Sequence, residues 1–217
     1  NLVFRYYHEN LLSLLGGVYL AEFKECKEAA LQLAAAYAQS GVDAELGMLI
    51  LQDRNINITK ALKQKFGFWI TVSNEFQLSV IDDNFAWIRK EAKDYSIGIL
   101  IHTQPYRDSI VFKEKYILNQ LDTTMKNHIP GPLEGTYMAV ERRIEPVSEK
   151  ITLDGRYCIE TRGLWRLIGD FMGGPFVNYS FTSPDNQQFI MLTGYVYSPR
   201  KPKRDFVMQA ESVCRSI

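Results

Sequence analysis

Glu160 and Asp170 are carboxylates that flank an alternating run, Arg162 to Ile168, holding Arg162, Trp165 and Arg166. Two such acids beside a cleft can divide general-acid and general-base work on a glycosidic bond. The competing reading is structural: Glu160, Arg162 and Arg166 fall on one face of a strand, where opposite charges pair with neighbouring strands. That reading is preferred. Asp170 raises a second question, because it sits inside Gly169-Asp170-Phe171-Met172-Gly173-Gly174-Pro175, with Gly173 and Gly174 able to take positive φ. Its carboxylate either accepts backbone N–H groups and pins a bulge, or is the polar contact of a ligand groove. The groove would have Trp165, Phe171 and Phe176 as walls and Arg162 alongside. Here too the structural role is preferred.

Other reactive residues are sparse. His102, in Ile99-Leu100-Ile101-His102-Thr103-Gln104, has the chemistry of a base, but a strand-end histidine bonded to backbone is the simpler account. Ser96 and Ser109 have no base near them in sequence. No Walker loop, GxGxxG, HExxH, GxSxG or DxDxDG motif occurs. Cys26, Cys158 and Cys214 form no CxxC pair and have only three histidines to join them, so neither a zinc site nor a disulfide framework is expected. The cysteines read as reduced, mutually distant, buried residues. No metal and no cofactor are expected.

Composition excludes several classes. An apolar share of 46% and a charged share of 23% are those of a folded globular chain rather than a disordered one. Lysine plus arginine equals aspartate plus glutamate, 25 each, so no global field favours nucleic acid. The local run Arg200-Lys201-Pro202-Lys203-Arg204 reads as a solvated loop. No stretch approaches the ~20 apolar residues of a membrane helix. The opening Asn1-Leu2-Val3, with no leader-like segment, reads as a processed or trimmed product.

The elements that must position these residues follow from periodicity. Leu2–Tyr7 reads as a strand, and the three-to-four spacing of Leu11, Leu15, Tyr19, Phe23, Cys26, Ala30, Leu33 and Tyr37 as a helix face, broken near Gly16-Gly17. That stripe is apolar over too much of its circumference for one neighbour, which predicts packing on the main sheet or a homodimer. A short helix is predicted over Ala44–Leu51. Asn57 is placed to cap a helix to Phe66, ended by Gly67. β-rich runs follow at Phe68–Val72, Gln77–Val80, Phe85–Arg89 and Ser96–Ile101, with Asp82-Asp83-Asn84 as a hairpin turn. One helix is predicted over Phe112–His128. Strands are predicted over Tyr137–Ile144, over Ile151–Arg162 with a turn or bulge at Asp154-Gly155, on both sides of the Gly169–Pro175 interruption, and over Gln188–Tyr197 after a loop at Ser183–Asn186. A closing helix is predicted over Lys203–Ile217. The plan is α+β with a mainly antiparallel sheet. Residues 1–66 form an N-terminal strand and helical segment, and residues 67–217 an α+β domain: one sheet, with both later helices packed on it in one core.

Three runs carry a family resemblance: Gly163-Leu164-Trp165, Gly169 through Val177, and Lys203-Arg204-Asp205. With Phe85–Glu91 and Ile129–Met138, they resemble domain-of-unknown-function family 4837, over roughly Phe66 to the end. The resemblance implies a cell-envelope protein of Bacteroidetes-type bacteria, made as a lipoprotein whose acylated cysteine has no counterpart here. It also implies a larger N-terminal region, of which residues 1–66 would be a remnant. It carries no activity and no catalytic residue. By a weaker analogy, the order of elements is similar to the PsbP-like α/β/α sandwich. The resulting expectation is a non-catalytic binding or assembly module on the periplasmic face of the envelope. Its partner would be an envelope protein or a small ligand; membrane contact would come only through the lipid anchor. The alternative is a glycan-directed hydrolase using Glu160 and Asp170.

Overall fold

The computed structural model describes residues 53–217. The predicted Leu2–Tyr7 strand, the Leu11–Tyr37 stripe, the Ala44–Leu51 helix and Cys26 lie outside the described residues.

Asn55 opens α1 (Ile56–Phe66), its side-chain oxygen accepting the Ile58 N–H at 3.2 Å, and Gly67 closes the helix at φ 83°. The cap is therefore Asn55 rather than Asn57, which already lies in the first turn. Strands β1 (Gln77–Ile81), β2 (Phe85–Glu91) and β3 (Ser96–Pro105) follow as two hairpins. A 3₁₀ turn, Ser109–Phe112, precedes α2 (Glu114–His128). Lys113 between them is extended, so the single helix predicted there is two pieces. Next come β4 (Tyr137–Val140), β5 (Val147–Leu153), β6 (Arg156–Ile168), β7 (Gly173–Thr182), β8 (Gln188–Tyr197) and α3 (Arg204–Arg215).

All eight strands join one antiparallel sheet in the order β1-β2-β3-β8-β7-β6-β4, with β5 also paired to β6. β4 and β5 share one edge of β6: β5 lies along Arg156–Arg162 and β4 along Trp165–Ile168. Asp154 and Gly155, at φ 50° and 72°, make the tight β5–β6 turn that an Asp-Gly pair suits.

Strand alternation gives the sheet two apolar faces. Ile88, Ile99, Tyr179 and Leu192 point to one side, where Leu62 of α1 and Val213 of α3 cover them. Leu100, Trp165, Met191 and Phe189 point to the other, under Ile117, Leu121 and Met125 of α2. The expected α/β/α layering is present. The expected common core for the two later helices is not, because a sheet buried on both faces keeps α2 and α3 apart.

Phe68–Val72 departs from its predicted strand. Phe68, Ile70 and Val72 are buried in the α1/α3 core, which explains their alternation. The backbone, however, bonds elsewhere: the Thr71 N–H donates to Ser216 Oγ at 2.8 Å and the Val72 carbonyl accepts from Asn55 N. The Thr71 N–H and the Val72 carbonyl are thus satisfied without a neighbouring strand.

Candidate functional site

Glu160 points to the α3 face of the sheet, where Cys158 and Tyr179 also lie. It is buried and accepts from Arg162 Nε at 2.6 Å and Arg215 Nη2 at 2.8 Å. Arg162 also bonds the buried Glu211 of α3, and Arg215 Nε donates to the Tyr179 hydroxyl at 2.9 Å. Burial alone would raise the Glu160 carboxyl, but the two arginines together outweigh it and hold it below the ordinary carboxylate range. Burial pushes the Tyr179 phenol up. Two acids, two guanidiniums and a phenol thus neutralise one another and tie α3 to β6 and β7. Each carboxylate oxygen of Glu160 is thus paired with an arginine.

Asp170 lies in the β6–β7 turn, two residues past the end of β6. Its Oδ1 accepts only the neighbouring Phe171 N–H, at 2.6 Å, in an exposed bond. Along the strand, Glu160 and Asp170 are about 30 Å apart at the usual rise per residue. A glycosidase pair needs a separation below about 10 Å, so the two carboxylates cannot act on one bond. The turn itself is made by Gly169 at φ 86°. Gly173 and Gly174 do not take positive φ. Their smallness serves close approach: a Cβ on Gly174 would lie 2.0 Å from the Val196 carbonyl oxygen, and one on Gly173 2.8 Å from that of Trp165.

Among the described residues, the opposite face holds an open groove. α2 covers only part of that side, and beyond its C-terminus the sheet leaves a depression of about 530 Å³. Met138, Trp165, Leu167 and Tyr195 form its floor, with Ile129–Pro132 on one side and Trp87, Arg89 and Tyr197 on the other. The aromatic wall is held rigidly. Trp87 Nε1 donates to the Tyr195 hydroxyl at 3.0 Å, and Trp165 Nε1 to the Val196 carbonyl at 3.1 Å. Trp165 and Tyr195 meet edge to face at 5.7 Å. Gly98 makes this possible: a Cβ there would lie 2.1 Å from the Tyr195 ring, so the ring lies directly over its backbone. The Arg89 guanidinium caps Trp87 at 4.4 Å.

The family profile described as Domain of unknown function (DUF4837) matches residues 55–216. The chain belongs to that family. None of the curated proteins matches its sequence. Among solved structures, a mutant of the protein Mog1 is similar over 68% of this chain and 84% of its own, at 10% identity and a TM-score of 0.37. A likeness that distant carries no argument about function.

Of the five residues read as a ligand site, this DUF4837 chain places only Trp165 in the groove. Phe176 is buried under the α2 layer, its ring over Gly163. Arg162 is on the other face, in the Glu160 cluster. Phe171 is fully exposed at the turn tip, and Asp170 beside it does not line the groove. Met172, the next residue, does. Sequence reasoning missed Trp87, Arg89, Tyr195 and Tyr197. Their signal was the i, i+2 spacing of Trp87/Arg89 and Tyr195/Tyr197, which sets each pair on one strand face.

His102 is the remaining reactive side chain. Both ring nitrogens are buried without a hydrogen-bond partner. The expected bond to backbone is absent, and the nearby Gln104 amide donates instead to the Tyr116 hydroxyl at 2.7 Å. Burial, helped by the neighbouring His128, holds the imidazole below its ordinary pKa and therefore neutral. Among the described residues no group of three or more His, Cys, Asp or Glu could hold a metal ion.

Proposed function

We propose that this protein is a non-catalytic binding module of the cell envelope, and that the groove beyond α2 holds a small ligand with an apolar body. The carrying observation is a sheet face that the described residues leave open over an apolar floor, with an aromatic wall fixed in advance by hydrogen bonds. A depression of a few hundred Å³ with an apolar floor and polar groups set round it is a usual form of small-molecule site, and a rigid wall spares the ligand an ordering cost. The envelope part of the proposal rests on the family resemblance alone. The hydrolase alternative has no support in geometry, since Glu160 is buried and paired with two arginines on one face and Asp170 is exposed at a distant turn.

The neutral dye N-phenyl-1-naphthylamine tests the site. It is expected to bind one per chain with enhanced emission, and Met172→Glu, a change on the groove rim, should weaken it at least tenfold. Binding that ignores Met172→Glu, or no binding at all, would count against the groove.

A further inference from the structure

The rim of the groove carries charge that the described residues do not neutralise. Arg89, Glu91, Lys93, Asp94 and Arg200 all line it. Arg89 pairs with Glu91 at 3.5 Å, and Asp94 with Lys201 at 3.5 Å. Lys93 and Arg200 are exposed and make no ion pair among the described residues. The Asp94–Lys201 contact joins the β2–β3 turn to the segment after β8, so the two unpaired cations stand on the same rim.

The floor argues for an aliphatic ligand rather than a stacked ring or sugar. Arg89 already covers a face of Trp87, Tyr95 stacks on Phe206 at 4.2 Å, and Trp165 meets Tyr195 edge-on, so most of the flat faces a pyranose needs are in use. What remains accessible is apolar but not flat: Met172, with Pro130 and Pro132, in front of the buried Ile129, Met138 and Leu167. An apolar trough ending at two unpaired cations matches an amphipath of opposite charge.

We infer that the groove binds an aliphatic anion: an alkyl chain along Met172, Pro130 and Pro132, with its carboxylate or phosphate head at Lys93 and Arg200. The inference rests on the groove being the binding site and adds the chemical class of the ligand. A buried hydrocarbon tail gains affinity roughly fourfold per methylene until the trough is full. The head group adds a salt-sensitive preference for negative charge.

The experiment titrates the intact chain, below micelle formation, with decanoate, decyl phosphate, decanol and decyltrimethylammonium, following displacement of N-phenyl-1-naphthylamine. Decanoate and decyl phosphate should displace the dye at least tenfold better than decyltrimethylammonium, and octanoate should be weaker than decanoate. The double variant Lys93→Glu/Arg200→Glu, on exposed positions that leave folding alone, should reverse the preference while still binding the dye. Comparing the two anions separates a free acid from a phosphorylated lipid head. Equal displacement by anion and cation, or a preference unchanged in the double variant, overturns the inference while leaving the groove as a site. Dye binding with displacement by none of the four amphipaths overturns the aliphatic assignment as well. Absence of dye binding removes the groove itself.

Discussion

At the residue scale, two carboxylates that look alike in sequence have opposite roles in the fold. Asp170 makes one exposed bond to its own neighbour, and exposed groups of that kind contribute little. Asp170→Ala should change stability by less than about 0.5 kcal/mol. Glu160 is buried between two guanidiniums. Glu160→Ala leaves Arg162 and Arg215 without their shared acid, and Arg215 is largely enclosed. Breaking a buried pair typically costs about 3–5 kcal/mol; with Arg162 partly solvated, about 2–3 is expected. Urea denaturation of both variants checks this, and a loss for Asp170→Ala equal to that for Glu160→Ala would contradict it. The cysteines behave by the same logic of burial. The Cys158 thiol is pushed up to about 12, and Cys214 is raised too, both mainly by desolvation. Each should resist a thiol reagent at pH 8 until the chain unfolds; labelling of either within minutes in native protein would be the contrary result.

At the element scale, glycines set how closely strands and rings approach. Gly174 lies where a Cβ would strike the Val196 carbonyl, a backbone atom that cannot turn aside. Gly98 lies under a side-chain ring, which can move. Gly174→Ala should therefore cost more than Gly98→Ala, about 3 kcal/mol or above against about 1–2. Gly98→Ala should instead lift Tyr195 and break its bond with Trp87, reducing the near-UV circular dichroism of the groove aromatics. Equal melting temperatures for the two variants would mean that β7 and β8 adjust more readily than this packing implies.

At the scale of the whole molecule, burial of one group and pairing of others make stability depend on pH in two stages. His102 is held neutral in the fold, with its pKa below 6.5. The unfolded chain therefore takes up a proton first as pH falls through 6.5, and stability declines from there toward the folded value. Glu141 works lower down. Arg143, forked onto its carboxylate, holds it at about 2 against an ordinary 4.5. That contribution is complete above 4.5 and is lost as pH falls toward 2. Glu160, also lowered, acts in the same direction. Melting temperature should thus drop between pH 7 and 5 and again below 4.5. His102→Gln should flatten the upper stage alone, and a wild-type melting temperature constant from pH 7 to 5 would show that His102 is not held neutral.

Much of the fold was written in local patterns. Asp82–Asn84, Asp154-Gly155 and Ser183–Asn186 mark hairpin turns by their own backbone preferences, and the continuous apolar runs of β3 and β8 are a property of a few adjacent residues. The family resemblance was carried by equally local runs. Phe68–Val72 failed because alternation reports burial and not hydrogen bonding, so a buried irregular segment reads like a strand. The roles of Gly173 and Gly174 failed because a glycine that permits positive φ and one that permits contact are the same letter. The groove lay beyond local reading altogether. It draws on residues 87–96, 129–138, 165–172 and 195–200, which come together only when β3 pairs with β8, β6 pairs with β4, and α2 stops short of the sheet's end. Sequence by itself determined which residues would face a core. Long-range register decided which of them faced each other, and which were left facing water.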